Sequence, residues 1–123
     1  MIDFKNGSVF KLKPCNINDG KIVEPMLIDT ENIFATFKTV RDLVVFTNKR
    51  VISINVQGIT GSKKDFTSLP YSKVQAFSIE TAGTLDLDSE LELWFSGLGS
   101  VRFEFKGNFD IKSFNRLIGQ YIL

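Results

Sequence analysis

The sequence predicts a mainly β protein that ends in one α-helix, and two periodicities carry this prediction. From about residue 31 to residue 107, apolar and polar side chains alternate with a period of two, which is typical of half-buried strands. Over residues 108–123 the apolar period lengthens to three and four, which is typical of an amphipathic helix. We therefore expect one domain over residues 1–123, with an N-terminal extension of unassigned structure (1–30), strands (31–107) and a helix (108–123).

The clearest strands form a predicted antiparallel hairpin around the turn at residues 96–99. The alternating apolar positions are Leu91, Leu93 and Phe95 before the turn, and Val101, Phe103 and Phe105 after it. Glu, Trp, Arg and Lys fill the positions between them, so one face is predicted to be buried and the other wet. Similar short runs over residues 33–38, 43–47, 51–56, 65–69 and 77–80 raise the expected count to six or seven strands.

The helix prediction is anchored at residues 108–111. Asn108 or Asp110 is a suitable N-cap, and Ile111, Phe114 and Ile118 follow on one face. We expect this face to cover an open side of the sheet structure. The first thirty residues are less clear: Phe4, Val9, Phe10 and Leu12 either add a strand or lie across the core, and residues 22–27 hint at a short helix that Pro25 disfavours.

Composition excludes several classes of function. The chain has no histidine and a single cysteine, Cys15. Histidine is the usual general base near neutral pH and the commonest metal ligand, so Ser–His or Cys–His catalysis and a structural zinc site are excluded. We therefore expect a protein that is not an enzyme and uses no cofactor.

Charge and hydropathy indicate the compartment and the partners. The formal net charge is +1, which gives no overall attraction to nucleic acid. The N-terminus has no apolar run typical of a signal peptide, and the longest aliphatic or aromatic runs span about four residues. With one cysteine, no disulfide forms within the chain. These features predict a cytoplasmic protein.

Several short motifs together resemble the bacterial pleckstrin-homology (PH-like) domain family. They are RDLVVFTNKR at residues 41–50, QGITG at 57–61, SLPY at 68–71, SIETAG at 78–83 and DLDSEL at 86–91. The resemblance implies a seven-stranded, strongly bent antiparallel sandwich or partly open barrel that is capped by the C-terminal helix. It also implies a ring-forming homo-oligomer, and it assigns no substrate.

An acidic stripe is the first candidate contact surface. Asp86, Asp88, Glu90 and Glu92 recur with a period of two and are predicted to share one face of an extended segment, with Leu85, Leu87, Leu91 and Leu93 on the other face. Side chains on one strand face lie about 7 Å apart, too far for the six or more oxygens that calcium requires. We expect the stripe either to be a plain wet face or to set the register of self-association.

Basic residues form the second candidate site. Lys49 and Arg50 follow one strand, and Lys63 and Lys64 lie in the next connection. If these four cations are adjacent, they can bind a phosphate group, an anionic membrane or the acidic stripe of a second copy. The alternative is a solvated loop whose lysines aid solubility. The loop that carries the lipid site in eukaryotic PH domains corresponds to about residues 39–42, and it is short and weakly charged here.

Two aromatic residues are predicted on outer faces. Trp94 lies on the charged side of its strand, and Phe34 falls opposite Ile33 and Phe37. Such residues contact either another part of the same chain or a second subunit. The leading functional hypothesis is thus a non-enzymatic interaction or scaffold module that self-associates and can also bind an unidentified protein partner. The alternative is a peripheral binder of an anionic membrane or phosphate ligand.

Overall fold

The computed structural model describes residues 2–123, which form eight strands, one α-helix and two 3-10 segments. The strands are β1 (Ser8–Pro14), β2 (Ile33–Lys38), β3 (Leu43–Thr47), β4 (Arg50–Gln57), β5 (Lys63–Pro70), β6 (Val74–Glu80), β7 (Ser89–Phe95) and β8 (Gly99–Phe105). The helix is α1 (Ile111–Ile122), and the 3-10 segments are Ile17–Met26 and Tyr71–Lys73. The chain divides into two compact units, one made mainly of Lys13–Pro70 and the other of Asp3–Leu12 and Tyr71–Leu123.

The first unit is an antiparallel meander. Strands β2, β3, β4 and β5 pair in chain order, and Lys13 and Pro14 at the end of β1 pair with the end of β2. A bulge between Ile33 and Ala35 interrupts the β2–β3 register. A bulge adds one residue to one strand, and here Phe34 lies between the paired residues Ile33 and Ala35.

The 3-10 segment Ile17–Met26 covers one face of this meander. A 3-10 helix has three residues per turn, so Gly20 and Val23 lie on the same side, and both are buried. Val23 joins Val45, Ile52 and Ile54 in the core of the unit. A Cβ at position 20 would lie 2.6 Å from Thr36 Oγ1, so a side chain there requires Thr36 to shift.

The second unit combines a parallel and an antiparallel pairing. Residues 8–12 of β1 run parallel to β8, from the Ser8–Val101 pair to the Leu12–Phe105 pair. Strands β8, β7 and β6 are antiparallel neighbours. Apolar side chains of β7 and β8 alternate inward, and those at positions 91, 93, 101 and 103 are fully buried.

Helix α1 packs against β6 and β7 in the second unit. The Asp110 side chain accepts a hydrogen bond from the Ser113 backbone N–H at 3.1 Å and thereby caps the helix. Ile111, Phe114 and Ile118 form its buried face. The predicted helix, its cap and its apolar face are therefore confirmed.

The strand prediction needs two corrections. The structure has eight strands and not seven, because residues 8–14 of the predicted N-terminal extension form β1. Residues 85–88 are not part of an extended strand, since β7 begins at Ser89. No helix within residues 2–123 is long and apolar enough to cross a membrane.

Candidate functional site

The outer face of β6, β7 and β8 carries a row of three carboxylates, which we call the carboxylate row. Glu90 of β7 lies directly opposite Glu80 of β6 on one side and Glu104 of β8 on the other. Like charges that are directly opposed on neighbouring strands are destabilising. The row is therefore a place where the sheet retains an unfavourable arrangement.

Nearby cations neutralise only part of the negative charge of the carboxylate row. Arg102 Nε lies 3.6 Å from Glu90 Oε2, and Lys11 of β1 is the register partner of Glu104. Partial burial raises the pKa of Glu90 and Arg102 lowers it, whereas the nearby Glu80 and Glu104 carboxylates raise it further, so the net shift is upward. Four glutamates, which include Glu92, share this face with Arg102 and Lys11.

The predicted acidic stripe is only partly formed. Glu90 and Glu92 lie on β7, but Asp86 and Asp88 lie in the connection at residues 81–88, which we call the 81–88 loop. Asp88 accepts a hydrogen bond from the Gly107 backbone N–H at 3.0 Å and pairs with Lys106 at 3.6 Å. Glu92 accepts a bond from the Ser100 hydroxyl at 2.7 Å. Sequence reasoning found Glu90 but missed its neighbours Glu80 and Glu104, because only the strand register brings the three together.

The 81–88 loop exposes two leucines that were predicted to lie on the strand face opposite the acidic stripe. Leu85 is 100% exposed and Leu87 is 61% exposed. The loop is nevertheless ordered by hydrogen bonds: the Gly83 N–H donates to the Asp86 carbonyl at 2.7 Å, and the Asp88 N–H donates to the Asp86 carboxylate at 3.0 Å. The expectation that these leucines share one strand face with Leu91 and Leu93 is wrong, since β7 begins at Ser89.

The two predicted outer aromatics have different surroundings. Trp94 lies on the outer face of β7, between its register partners Ala76 and Ser100, and is 37% exposed. Phe34 lies in the β2 bulge, and its ring centroid is 6.2 Å from that of Phe46. Trp94 is thus available on the same face as the carboxylate row, whereas Phe34 packs against its own chain.

The four predicted cations do not form one patch. In the β4–β5 hairpin, Arg50 pairs with Pro70 at one end and Gln57 pairs with Lys63 at the other. At about 3.3 Å per residue, the two ends are about 23 Å apart. Lys49 and Arg50 therefore lie at one end of the hairpin, and Lys63 and Lys64 lie at the other.

Arg50 belongs to a buried network, which we call the Glu31–Arg50 network. Its guanidinium donates to both Glu31 carboxylate oxygens, at 2.9 and 3.0 Å, to Ser68 Oγ at 3.0 Å and to the Met26 carbonyl at 2.9 Å. The Glu31 side chain is 0% exposed and also accepts a bond from the Thr47 hydroxyl at 2.6 Å. Burial alone raises the pKa of Glu31, but the bonds from Arg50 and Thr47 outweigh it and leave the pKa below its ordinary value.

A groove of about 490 Å³ lies beside this network in the first unit, and we call it the 3-10 groove. One wall consists of Asn18, Lys21 and Glu24, which are three residues apart and therefore stack along one side of the 3-10 segment, and of Leu27, which directly follows the segment. The other wall is formed by residues 31–33 at the start of β2. The volume is within the range of about 300–1,000 Å³ that is typical of binding pockets.

Two loop tips lie together at the Lys63 and Lys64 end of the hairpin. The Arg41 guanidinium donates to the Gly58 carbonyl, and the Asp42 carboxylate accepts a bond from the Val56 backbone N–H at 2.9 Å. Val40 and Ile59 at the two tips are fully exposed. Lys64 is partly engaged, because its ammonium donates to the Gly61 carbonyl at 2.9 Å.

The acidic residues do not resemble a metal centre. Within residues 2–123, no three His, Cys, Asp or Glu side chains come close enough together to hold a metal ion. The Cys15 thiol is half-buried, and burial together with Asp19 raises its pKa.

Comparisons with known proteins agree with this architecture. Residues 3–122 match the family model of the bacterial PH domain. The uncharacterised protein YjqA of Bacillus subtilis (strain 168) is 47% identical over 95 residues, which cover 76% of each chain. YozO of the same organism is 29% identical over 104 residues, which cover 85% of this chain and 90% of that relative.

Two solved structures share the fold along most of the chain. A DUF1696 family protein with a pleckstrin-homology domain from Shewanella loihica PV-4 is 35% identical, with a TM-score of 0.78, and the match covers 93% of this chain and 99% of that one. A pleckstrin homology domain from Shewanella amazonensis SB2B is 40% identical, with a TM-score of 0.64, and the match covers 89% and 90%. The expected mainly β, PH-like fold is thus confirmed, and the chain belongs to the bacterial PH domain family.

Proposed function

We propose that this chain is a non-enzymatic, cytoplasmic interaction module that self-associates into a homo-oligomer. The carboxylate row is the observation that carries the proposal. Three directly opposed glutamates reduce the stability of the isolated sheet, and a partner that presents cations relieves the repulsion. The carboxylate row therefore favours association, because its charges repel one another in the single chain and are neutralised when a partner covers them.

A second copy of the chain offers suitable cations. Lys63 and Lys64 are exposed at one end of the β4–β5 hairpin, and Lys49 is exposed at the other end. Arg50 is already bound to Glu31, so it supports the fold around Lys49 and contributes no free charge. Charge complementarity of this kind gives orientation and specificity more than raw affinity.

Trp94 adds an apolar contact to the same face. It is exposed beside the charged positions of β7, and aromatic residues are enriched in the buried centres of interfaces. In the proposed contact, the face of β6–β8 on one copy meets a different face of the next copy. Such head-to-tail contacts produce closed rings when the rotation closes.

Solution mass with charge reversal tests the proposal. We expect the wild-type protein to have a mass several times the chain mass of 13.9 kDa by native mass spectrometry and light scattering. The double variant Glu80→Lys/Glu104→Lys should have a lower mass, and addition of the Lys63→Glu/Lys64→Glu variant should restore the larger species. Asp29→Lys, another exposed acid, is the matched control. A monomeric wild type at all accessible concentrations would refute the proposal.

A second candidate, peripheral binding to an anionic membrane, is favoured by the two loop tips. Val40 and Ile59 are fully exposed next to Arg41, Lys63 and Lys64. Exposed aliphatic tips that are flanked by cations are suited to a negatively charged bilayer, where each cation contributes about 1 kcal/mol. Sedimentation with vesicles containing phosphatidylglycerol tests this. Binding should fall below the wild-type level for Val40→Asp/Ile59→Asp and for Lys63→Ala/Lys64→Ala, and wild-type binding by both variants would exclude these tips.

A further inference from the structure

We propose that the contact between copies is made by the 81–88 loop of one copy, whose Leu85 inserts into the 3-10 groove of the next. This inference rests on the proposed self-association and names the two surfaces that meet. The loop belongs to the second unit and the groove to the first. The two surfaces are different, so each copy both gives and receives one contact.

The 81–88 loop presents an exposed apolar side chain from an ordered segment, and we call this side chain, Leu85, the knob. Leu85 is 100% exposed at a position that is flanked by hydrogen-bonded residues, because Gly83 bonds the Asp86 carbonyl and Asp88 bonds the Asp86 carboxylate. Asp88 is also tied to Gly107 at 3.0 Å. An ordered loop loses little conformational freedom when it binds, so a held, exposed leucine is well suited to insertion.

The groove has an apolar base for such a side chain. Leu27 and Ile33 line it and are partly buried against the core of the first unit. Ile17, which is half exposed, lies at its edge. A leucine in contact with these three side chains would bury apolar surface on both copies, which is the main favourable contribution in association.

The charges beside the groove match the residue after the leucine. Lys21 and Glu24 are exposed on the same wall, one turn apart. Asp86 follows Leu85 and is exposed, so it is attracted to the Lys21 end and repelled from the Glu24 end. This asymmetry sets one direction for the loop. In the proposed contact, the amides of Asn18 and Asn32, which also line the groove, bond the loop backbone.

The 81–88 loop lies next to the carboxylate row along the chain. The loop begins after Glu80 and ends before Glu90, two members of the carboxylate row. A copy that receives Leu85 therefore comes close to this row as well. The apolar knob and the charged face act as one continuous contact surface.

Two variants separate the knob from the groove. Leu85→Asp removes the knob at a fully exposed loop position, and Asn18→Trp fills the groove from an exposed wall position. Each variant alone should give the mass of one chain in native mass spectrometry. An equimolar mixture should give a one-to-one pair at twice the chain mass, because each variant retains the surface that the other lacks. Ile59→Asp, which removes an equally exposed residue from another loop, should leave the wild-type mass unchanged.

A cysteine crosslink gives a second measurement that does not depend on loss of assembly. In a Cys15→Ser background, the variant Leu85→Cys/Lys21→Cys should form covalent head-to-tail multimers under mild oxidation, whereas either single cysteine alone should form at most a dimer. Circular dichroism of every variant establishes that it is folded.

The outcomes distinguish this inference from the proposed function. A monomeric wild type overturns both. A wild-type oligomer whose mass is unchanged by Leu85→Asp and by Asn18→Trp, and whose two cysteines do not crosslink, overturns only the knob and groove. A mixture of the two variants that remains monomeric, although both are folded, likewise overturns the head-to-tail contact.

Discussion

The two units place a glutamate carboxylate in opposite electrostatic surroundings. In the first unit, the buried Glu31 carboxylate is bound by Arg50, Thr47 and the Ile28 N–H, and its pKa is lowered. In the second unit, Glu90 lies between two other glutamates, with Arg102 at 3.6 Å, and its pKa is raised. One arrangement stabilises the fold, and the other opposes it.

This difference separates structural charges from those that are available to a partner. Burial of an ion pair is tolerated only when hydrogen bonds compensate for the lost hydration, and the Glu31–Arg50 network meets this condition. Residues of the carboxylate row are less buried and less compensated. Arg50 was predicted to bind anions because it is basic and follows a strand, but its surroundings give it a structural role in the network.

Loss of Arg50 should produce the largest effect on stability. Arg50→Met leaves the Glu31 carboxylate, whose side chain is 0% exposed, without its charged partner. We expect a loss of about 3–5 kcal/mol in the free energy of unfolding, measured by urea denaturation. A loss below about 1 kcal/mol, the range of exposed ion pairs, would contradict the distinction between the two units.

The tight contact of the 3-10 segment should give the next largest effect. In Gly20→Ala the new Cβ would lie 2.6 Å from Thr36 Oγ1, so we expect a loss of about 1–3 kcal/mol. The matched substitution Gly119→Ala in α1 meets nothing closer than 3.9 Å and should stabilise the helix by about 0.5–1 kcal/mol. Urea denaturation of both variants tests the contrast. If both substitutions change the free energy of unfolding in the same direction, the 3-10 segment is loosely packed.

Neutralisation of the carboxylate row should have a smaller effect of opposite sign. Glu90→Gln removes the central repulsion and should raise stability by about 0.5 kcal/mol at pH 7. The pKa of Glu90 is raised in the folded state, so its unfavourable contribution develops as pH rises through that pKa and disappears below about pH 4. Thermal melting between pH 3 and 8 should show the gain only at the upper end.

Glu31 supplies the reverse pH control for that experiment. Its pKa is lowered in the folded state, so its stabilising contribution is present above the ordinary glutamate pKa of about 4.3 and is lost as pH falls through the lower folded value. Glu31→Gln should therefore be most destabilising near neutral pH. Similar pH profiles for Glu31→Gln and Glu90→Gln would remove the contrast.

The smallest effect is expected at Lys49, the neighbour of Arg50. Lys49 is exposed, and surface substitutions usually change stability by less than about 0.5 kcal/mol. Lys49→Met, the same replacement as at Arg50, should therefore leave the urea midpoint nearly unchanged. A loss comparable to that of Arg50→Met would show that the network extends further than its hydrogen bonds indicate.

Local sequence patterns predicted the elements whose environment is also local. The hairpin of β7 and β8 and the amphipathic helix α1 were found because one buried face imposes a regular period. The alternation continues into residues 85–88, but β7 begins at Ser89, where its partner Phe105 is the last residue of β8. A strand needs a neighbour to supply hydrogen bonds, so the pattern alone extended it too far.

The remaining differences depend on contacts that are distant in sequence. The carboxylate row requires the register of three strands, and the separation of the four cations requires the register of the β4–β5 hairpin. The Glu31–Arg50 network joins residues 19 positions apart. Side-chain types showed that these residues carry charge, but only the fold decides which charges are already neutralised.

The parallel pairing of β1 with β8 has a consequence for the order of folding. Ser8 pairs with Val101 and Leu12 pairs with Phe105, so residues 8–12 have no β8 partner until residues 101–105 have been synthesised. Pairings between such distant residues slow folding because a long loop must close first. Residues 8–12 are therefore expected to lack this neighbour until β8 has been synthesised, and an unpaired strand edge is most open to misassembly or to capture by a chaperone during that interval.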